Sequence, residues 1–348
     1  MKEDKKIIEY LNNELINPRL SIDFNKYSDE ELKEVICKQL FLKKYRKYKI
    51  DDKVIEQTKE QINYIIDNKL PFIFTPAFGG YKHHWTKSYP YTDWAEIFNL
   101  SFLLEYLKPI IEYYRYGVTI EYESEEIIIE RINNMPQGDI NKYTNCWYKI
   151  LDYYNSILPE NVKIKYTLAK ETYSKDTLYK EMDKRYNNFL EIFDSYDKED
   201  QQYILSKAST NIMWNGKLNL ENLSEKERTD FIKESRILDE VFLDADFELR
   251  HDFFFQDNRI LLCFSFGLWP EGAEAIHIGS CASSMVDFWA GIGILEIRED
   301  RIIPRIISKS QFDKIEKDLV RVMVNNKQLN QINSNYDYIY IYNGKLDF

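Results

Sequence analysis

The strongest constraint on the fold is a short apolar run at 72–75 that is followed by two glycines, an amphipathic stretch and a second apolar run. The first run is typical of a buried strand, and Gly79 and Gly80 let the backbone turn sharply after it. Between about 93 and 114, apolar residues recur every three or four positions, which predicts one helical face. Residues 118–122 predict the next strand. Strand, turn, helix and strand form a βαβ unit, which implies parallel pairing with a right-handed crossover.

The remaining sequence extends this pattern on both sides. Residues 1 to about 70 predict helices, one of which begins with a capping box at Ser28 and Glu31. Further helices are predicted at about 138–157, 176–208 and 224–242, with a strand at 162–166 between the first two. From Phe247 onward the pattern is mostly β, with strands predicted at 259–266, 275–278, 288–297, 302–307 and 336–342.

These elements predict an α/β protein with a Rossmann-like mixed sheet, an N-terminal helical segment and a β-rich C-terminal part. We place the helical segment at 1–70 and an α/β catalytic domain at 71–348, with a helical insertion at about 170–245. The sequence shows no internal repeat and no low-complexity linker.

Composition excludes several classes of function. The chain has 348 residues, of which 44% are hydrophobic, and a net charge of −11, which disfavours wrapping a nucleic-acid backbone. The start of the chain lacks a signal-peptide core, and the longest strongly apolar run, 260–269, is far shorter than the ~20 residues of a membrane-spanning helix. The four scattered cysteines form no CxxC pair. We therefore expect a cytoplasmic protein with no membrane or nucleic-acid partner and no metal site.

The loop after the first strand is the first candidate site, because ligands in α/β sheets bind outside the carboxyl ends of strands. It carries Tyr81, Lys82, His83, His84 and Trp85. A lysine there can hold a phosphate or carboxylate, and the histidines can transfer protons near neutral pH. We expect Lys82 to project into an open crevice. The alternative is a polar surface loop with incidental histidines. Adjacent residues of an extended backbone point in opposite directions, which argues against a metal shared by His83 and His84.

The start of the following helix is the second candidate site. Asp93 and Glu96 are three residues apart and so share a helical face, where two carboxylates could serve as acid and base. The alternative is structural, since an N-cap aspartate with a glutamate three positions later is itself a capping pair.

Two later segments carry the remaining candidates. Arg250 could bind a phosphate or carboxylate, with His251 beside it for proton transfer; the alternative is an exposed strand end with mixed charges. His277 alternates with apolar residues, and a lone histidine in such a strand is more often a core residue. The small residues at 279–284 could form an anion-binding loop. Cys281 has no surrounding signature of a nucleophile.

Several of these segments, taken in order, resemble motifs of the isonitrile synthases of the pyoverdine/dityrosine biosynthesis family. The matching residues are Pro76-Ala77-Phe78 with Lys82, Asp93 with Glu96, Tyr116-Gly117, Ser124-Glu125-Glu126 and Asp287-Phe288-Trp289. The chain departs from the family in placing the lysine one residue later, in having Ser-Glu-Glu where the family has Ser-Asp-Gly, and in having Ala290 where the family usually has a histidine. It therefore resembles a divergent member.

The resemblance implies a reaction of secondary metabolism. Family members join the amino group of an amino acid, typically tyrosine or tryptophan, to the keto carbon of ribulose 5-phosphate, and one sugar carbon becomes the isonitrile carbon. Such a transferase or lyase needs neither metal nor redox cofactor. The expected catalytic residues are Lys82, His83, Glu96 and His251. The expected substrate contacts are Tyr81, His84, Trp85, Asp93, Ser124, Arg250, His277 and Trp289, of which the two tryptophans would form an aromatic wall.

Two other interpretations remain open from the sequence. The chain could be a transferase that uses another phosphorylated donor on the same scaffold. It could also be a non-catalytic protein that binds a small ligand, in which case replacing Lys82 or Glu96 would lower stability or binding but remove no turnover. The sequence leaves a homodimer open as well.

Overall fold

A computed structural model gives the fold and describes residues 2–46, 48–78, 80–133, 135–215, 220–264, 275–281, 286–299 and 301–347. The α-helices are α1 (Lys2–Tyr10), α2 (Asp29–Leu40), α3 (Asp52–Asp67), α4 (Trp94–Tyr106), α5 (Lys108–Tyr113), α6 (Glu126–Asn133), α7 (Gln137–Ile157), α8 (Lys175–Ser195), α9 (Lys198–Asn215), α10 (Glu225–Leu249), α11 (His251–Phe254), α12 (Lys309–Ile315) and α13 (Lys327–Asn330). Among the helices described, none combines the length and the apolar character that crossing a membrane requires.

The first sheet is parallel throughout. Its strands are β1 (Phe72–Phe78), β2 (Val118–Ser124), β3 (Val162–Leu168), β4 (Arg259–Cys263) and β5 (Ala275–His277), in the order β3-β2-β1-β4-β5. Phe74 of the central strand pairs with Ile120 on one side and Ile260 on the other. The chain runs outward from β1 to β3 and then returns to β4, so the strand order reverses between β1 and β4. A crevice opens at the carboxyl ends of strands at such a reversal, and ligands bind there.

Successive residues of β2 face opposite sides of this sheet. The hydroxyl of Tyr122 donates a hydrogen bond of 2.8 Å to Oδ1 of Asn99 on α4. Glu123, the next residue, lies 2.9 Å from Arg250, which follows α10. Helix α10 also packs with α6, α8 and α9 through apolar side chains that include Ile128, Leu178 and Val241. The carboxyl end of β2 therefore serves two separate polar sites, one on each face.

The second sheet is mixed. It contains β6 (Ile292–Arg298), β7 (Arg301–Ile307), β8 (Val320–Met323) and β9 (Tyr338–Asn343), in the order β7-β6-β9-β8. Strand β6 lies directly against the start of α4, because a Cβ atom added to Gly293 would come within 2.5 Å of the backbone nitrogen of Ala95. Only glycine allows so close an approach. The second sheet is thereby fixed to the helix that begins the candidate site.

The α/β class and the Rossmann-like parallel pairing are confirmed, as is the capping box at Ser28 and Glu31. The expected single helix over about 93–114 is two helices, since the chain breaks at Leu107, and Pro109, near the start of α5, lacks the amide hydrogen that a continuous helix would use. Within the β-rich part, β4 and β5 complete the first sheet, whereas β6 to β9 form the second.

The segment after Phe242 differs from expectation. The sequence predicts strands from Phe247 onward, but α10 continues to Leu249 and α11 covers His251–Phe254. The aromatic residues there favour strands by propensity, yet the buried positions Val241, Phe242 and Ala245 continue the helical spacing against α8. The strand expected at 288–297 starts only at Ile292, after a turn, and residues 265–266 of the strand expected at 259–266 lie outside the described residues.

Candidate functional site

Lys82 is the centre of a buried ionic cluster at the carboxyl edge of the first sheet. Its Nζ lies 3.0 Å from Oδ2 of Asp93 and 3.1 Å from Oε1 of Glu96. It also donates a hydrogen bond of 3.1 Å to the carbonyl oxygen of Phe288. The side chains of Lys82 and Glu96 are both 0% exposed. Three acceptors thus surround one ammonium group away from bulk solvent. We call Lys82, Asp93, Glu96 and Tyr143 the lysine cluster.

The cluster is built on the start of α4. Asp93 is the N-cap, and its carboxylate accepts a hydrogen bond of 2.8 Å from the amide of Ala95. The amide of Asp93 donates in return to Oε2 of Glu96 at 2.7 Å, which completes a capping box. The hydroxyl of Ser88 donates to Oδ2 of Asp93 at 2.6 Å. The structural interpretation of this carboxylate pair is confirmed, and the capping pair is also the counter-ion of Lys82. Its service as acid and base stays a prediction.

Glu96 has an acidity suited to proton exchange near neutral pH. Burial is the largest influence and raises the pKa of Glu96 to about 7; the ammonium of Lys82 opposes this shift, and the carboxylate of Asp93 adds to it. Tyr143, also fully buried, donates a hydrogen bond of 2.9 Å to Oε1 of Glu96. Burial and the adjacent glutamate raise the pKa of this phenol well above its ordinary value. Burial thus shifts the titration of the Glu96 carboxyl group from the acidic range toward neutral pH.

The expected exposure of Lys82 is wrong. The side chain turns inward because two carboxylates and a carbonyl accept its hydrogens, and an unpaired ammonium in the interior would cost far more. Lys82 therefore does not offer a free positive charge in an open crevice.

A second polar network joins the ends of three strands. The hydroxyl of Tyr81 shares a hydrogen bond of 2.8 Å with Oγ of Ser124, which donates to Oε2 of Glu126 at 3.0 Å. The Glu126 carboxylate accepts the amides of Ala169 and Lys170, each at 3.0 Å. Tyr81 follows β1, Ser124 ends β2 and Ala169 follows β3. The expected substrate contacts Tyr81 and Ser124 are thus adjacent, and this network orients both.

Trp289 lies over the turn after β1. Its carbonyl accepts the amide of His83 at 2.9 Å, and its indole occupies the space that a Cβ atom on Gly80 would need, with Nε1 at 2.5 Å from that position. The indole also packs edge-on to Phe264, the residue after β4, with ring centroids 6.3 Å apart. Trp289 therefore bridges the two strands between which the sheet order reverses.

His277 ends β5, and its ring packs edge-on against Tyr48 with centroids 5.9 Å apart. Three other expected site residues lie apart from the two networks. His84 is exposed and packs against Tyr89, while Trp85 packs against Phe312 of α12. His251 stacks on Phe255, which lines a groove of about 330 Å³ beside the amino end of β4.

Arg250 lies on the opposite face of the sheet from the lysine cluster. The alternative of an exposed strand end is wrong, because Arg250 follows a helix and is 2% exposed. Its Nη2 contacts Glu123 at 2.9 Å and pairs with Asp246. Burial disfavours its charge, but Asp246 and Glu123 outweigh this effect and raise the pKa of the Arg250 guanidinium. Glu123 and Asp246 lie outside the motifs that the sequence displays. A signal existed in β2, where glutamates alternate with buried residues, since a buried glutamate needs a partner on the same face.

Comparison with known proteins agrees with this architecture. The crystal structure of the PvcA protein from Pseudomonas aeruginosa aligns with the chain at a TM-score of 0.64 and 15% sequence identity, and the alignment covers 89% of this chain and 99% of that one. No protein-family model matches the chain. A comparison with curated proteins found no match either. At this identity the likeness shows a common fold, and it confirms the fold that the sequence motifs led us to expect.

Proposed function

We propose that the chain is an enzyme of the isonitrile-synthase type that condenses the amino group of an L-amino acid with a ketose phosphate such as ribulose 5-phosphate. The motifs of the chain resemble those of the isonitrile synthases of the pyoverdine/dityrosine biosynthesis family, and the fold shared with PvcA is compatible with that resemblance. The observation that carries the proposal is the Lys82–Glu96 pair, because it joins the lysine and the helix-start glutamate of the motifs and includes a carboxyl group with a pKa of about 7.

The first chemical step requires proton transfer in both directions. The amino nitrogen forms a bond to the keto carbon, both of its hydrogens pass to the former carbonyl oxygen, and that oxygen leaves as water. A group with a pKa near the working pH can both accept and return such protons. We propose that Glu96 is this group, with Lys82 and Tyr143 holding its carboxylate in place.

The surroundings of the cluster suit a small polar substrate. The network of Tyr81, Ser124 and Glu126 lies at the carboxyl ends of β1 and β2. The indole of Trp289 packs over Gly80 at the point where the strand order reverses and gives this edge an aromatic wall. In this proposal the phosphate is not bound by a free Lys82, since that ammonium is already held by two carboxylates.

A labelling experiment tests the proposal. The purified chain is incubated with ribulose 5-phosphate carrying ¹³C at the keto carbon and, in separate reactions, with each of the twenty L-amino acids. We expect one or a few amino acids to yield a product whose infrared spectrum shows an isonitrile stretch. The mass of this product should correspond to the amino acid with its nitrogen joined to one ¹³C-labelled carbon from the sugar. An active isonitrile synthase serves as positive control. Absence of product with every amino acid, in reactions where that control succeeds, contradicts the proposal.

The Glu96→Gln variant tests the proposed role of the cluster. We expect the variant to fold, because the glutamine side-chain oxygen can still accept the hydrogen bond from the Asp93 amide. It should lose most of the turnover, because an amide group cannot exchange a proton as a carboxyl group does. Glu130→Gln, a change on α6 in a half-exposed pair with Lys175, is the matched control and should keep full turnover. Full turnover in Glu96→Gln would assign the cluster a purely structural role.

A further inference from the structure

The lysine cluster approaches the protein surface at Asp93. Lys82, Glu96 and Tyr143 are 0% exposed, whereas the side chain of Asp93 is 8% exposed. Burial nevertheless leaves Glu96 with a carboxyl group that titrates toward neutral pH. A buried group titrates only if protons reach it from water, so the cluster needs a path along which they move.

A small cavity lies beside Asp93, between the start of α4 and the second sheet. Its volume is about 20 Å³, which is enough for a single water molecule and too small for a substrate. Polar groups of Asp93, Ser88 and Asn335 line it, and an enclosed water needs such partners. Lys87, which is 46% exposed, lines the cavity as well, so the cavity connects the surface with the cluster.

Hydrogen bonds continue from this cavity to Glu96. The hydroxyl of Ser88 and the ammonium of Lys82 both donate to Oδ2 of Asp93, at 2.6 and 3.0 Å. The same ammonium donates to Oε1 of Glu96 at 3.1 Å. One ammonium group with three hydrogens thus joins the carboxylate at the cavity to the carboxyl group that titrates.

We propose that Asp93 and a water in this cavity carry protons between solvent and Glu96, with Lys82 as the link between the two carboxylates. The water receives a proton from solvent and passes one to Asp93. Asp93 passes a proton to Lys82 while Lys82 gives one of its own hydrogens to the Glu96 carboxylate, so the lysine keeps its charge. The reverse sequence removes a proton from Glu96. The inference rests on the proposed function for the reaction that uses these protons.

Two phenols near Glu96 serve as hydrogen-bond donors and do not replace Asp93. Tyr143 donates to Oε1 of Glu96 at 2.9 Å, and Tyr336 donates to the carbonyl oxygen of Asp93 at 3.0 Å. Burial, and then the charge of Glu96, raise the pKa of both phenols well above the ordinary value, and such groups are poor proton carriers near neutral pH. Tyr143 also packs on Tyr81, a proposed substrate contact, with ring centroids 5.5 Å apart. Proton entry through Asp93 therefore leaves the substrate side closed to bulk water.

Carbon-13 NMR measures the proton exchange directly. The full chain is labelled with glutamate that carries ¹³C in the side-chain carboxyl group, and the Glu96 signal is identified by its loss in Glu96→Gln. Relaxation dispersion at the midpoint of the Glu96 titration gives the rate at which this carboxyl group gains and loses its proton. Each variant is measured at its own midpoint, because the negative charge of Asp93 contributes to the raised pKa of Glu96.

The Asp93→Asn variant removes the proton carrier and keeps the helix cap, since asparagine caps helices about as well as aspartate does. We expect the exchange of the Glu96 proton to become slower by about tenfold or more, because an amide does not carry a proton as a carboxyl group does. A purely structural role of Asp93 would move the midpoint and leave the rate unchanged, and that result overturns the proposal.

The Ser88→Val variant tests the cavity and leaves both carboxylates in place. Valine removes the hydroxyl, and its methyl groups occupy the space of the water, so the exchange should again become slower by about tenfold or more. Glu130→Gln, in a half-exposed pair on α6, is the control and should exchange as the wild type does. If Ser88→Val exchanges as fast as the wild type, protons do not pass through the cavity and the proposal is wrong.

Turnover gives a second measure and separates this inference from the proposed function. If the proposed function is correct, Asp93→Asn should lower kcat, raise the solvent isotope effect on kcat and leave the KM for the amino acid within about twofold. If both variants slow the exchange but no isonitrile forms, the proton path stands and the proposed function fails. If isonitrile forms and both variants exchange as the wild type does, the proposed function stands and the proton path fails.

Discussion

The ammonium of Lys82 lies 3.1 Å from Oε1 of Glu96, and both side chains are completely enclosed by protein. Removing two charges from water costs several kcal/mol for each ion, so such a pair is retained only where further hydrogen bonds support it. Here Asp93, Tyr143 and the carbonyl of Phe288 supply them. The pair therefore holds three distant segments together while it keeps a carboxyl group that titrates near neutral pH.

Replacing Lys82 should destabilise the protein strongly. Lys82→Met leaves Asp93 and Glu96 buried without a counter-ion, and we expect a loss of about 3–5 kcal/mol in the free energy of unfolding. The double variant Lys82→Met/Glu96→Gln should recover part of this loss, because one carboxylate is removed with the ammonium. Urea denaturation at pH 7 measures both.

Lys87 provides the control for this prediction. It lies in the same loop but is 46% exposed and pairs with Glu316 at the surface. Lys87→Met should change stability by less than about 1 kcal/mol. Similar effects of the two lysine substitutions would contradict the structural importance of the lysine cluster.

The pKa of Glu96 predicts how stability depends on pH. The carboxyl group binds its proton more tightly in the folded chain, with a pKa of about 7, than at its ordinary value of 4.5. Its contribution is therefore fully present below pH 4.5 and is lost as pH rises through 7, by at most about 3 kcal/mol. Subtracting the unfolding free energies of Glu96→Gln from those of the wild type between pH 4 and 8 should show this decline. A flat difference would contradict the raised pKa.

The same group predicts the pH dependence of turnover, if the proposed function is correct. A base with a pKa of about 7 should give a kcat/KM for the amino acid that rises from pH 5 to 8. The value should level off once the Glu96 carboxyl group has lost its proton. Any residual activity of Glu96→Gln should lack this rise. Initial rates of isonitrile formation across this range test it, and an unchanged profile in the variant would assign the rise to another group.

Gly80 should tolerate no side chain. A methyl group there would lie 2.5 Å from Nε1 of Trp289, and that indole is 5% exposed and packed on Phe264 and Phe288, so it cannot move aside freely. We expect Gly80→Ala to cost about 1–3 kcal/mol. The change is measured by urea denaturation.

Gly138 is the matched control, since a methyl group there would meet nothing within 4 Å. It lies in the first turn of α7, where alanine favours the helix, so Gly138→Ala should be neutral or slightly stabilising. Equal stability of Gly80→Ala and the wild type would mean that Trp289 does not require the bare backbone beneath it.

The sequence predicts those parts of the fold that depend on local periodicity and capping. The capping box at Ser28 and the carboxylate pair at Asp93 and Glu96 follow from spacing within one element, and the βαβ unit around Phe74 follows from the order of consecutive elements. They are correct because the forces that create them act over a few residues.

The inward direction of Lys82 and the pairing of Arg250 with Glu123 could not be predicted in this way. Phe288 and Lys82 are 206 residues apart, and nothing local indicates that they meet. The aromatic residues after Phe242 favour strands by propensity, but packing of α10 on α8 outweighs this preference. Long-range contacts decide both cases, and a single sequence does not encode them in any short pattern.

The contact between Gly293 and the start of α4 has a consequence for synthesis. A nascent chain that has emerged only as far as β5 already contains Lys82, Asp93 and Glu96, yet it lacks the Phe288 carbonyl and the strand that closes over Ala95. Until those late residues leave the ribosome, the ammonium has one acceptor fewer and the helix start remains uncovered. All five strands of the first sheet thus leave the ribosome before the residues that complete the edge carrying the candidate site.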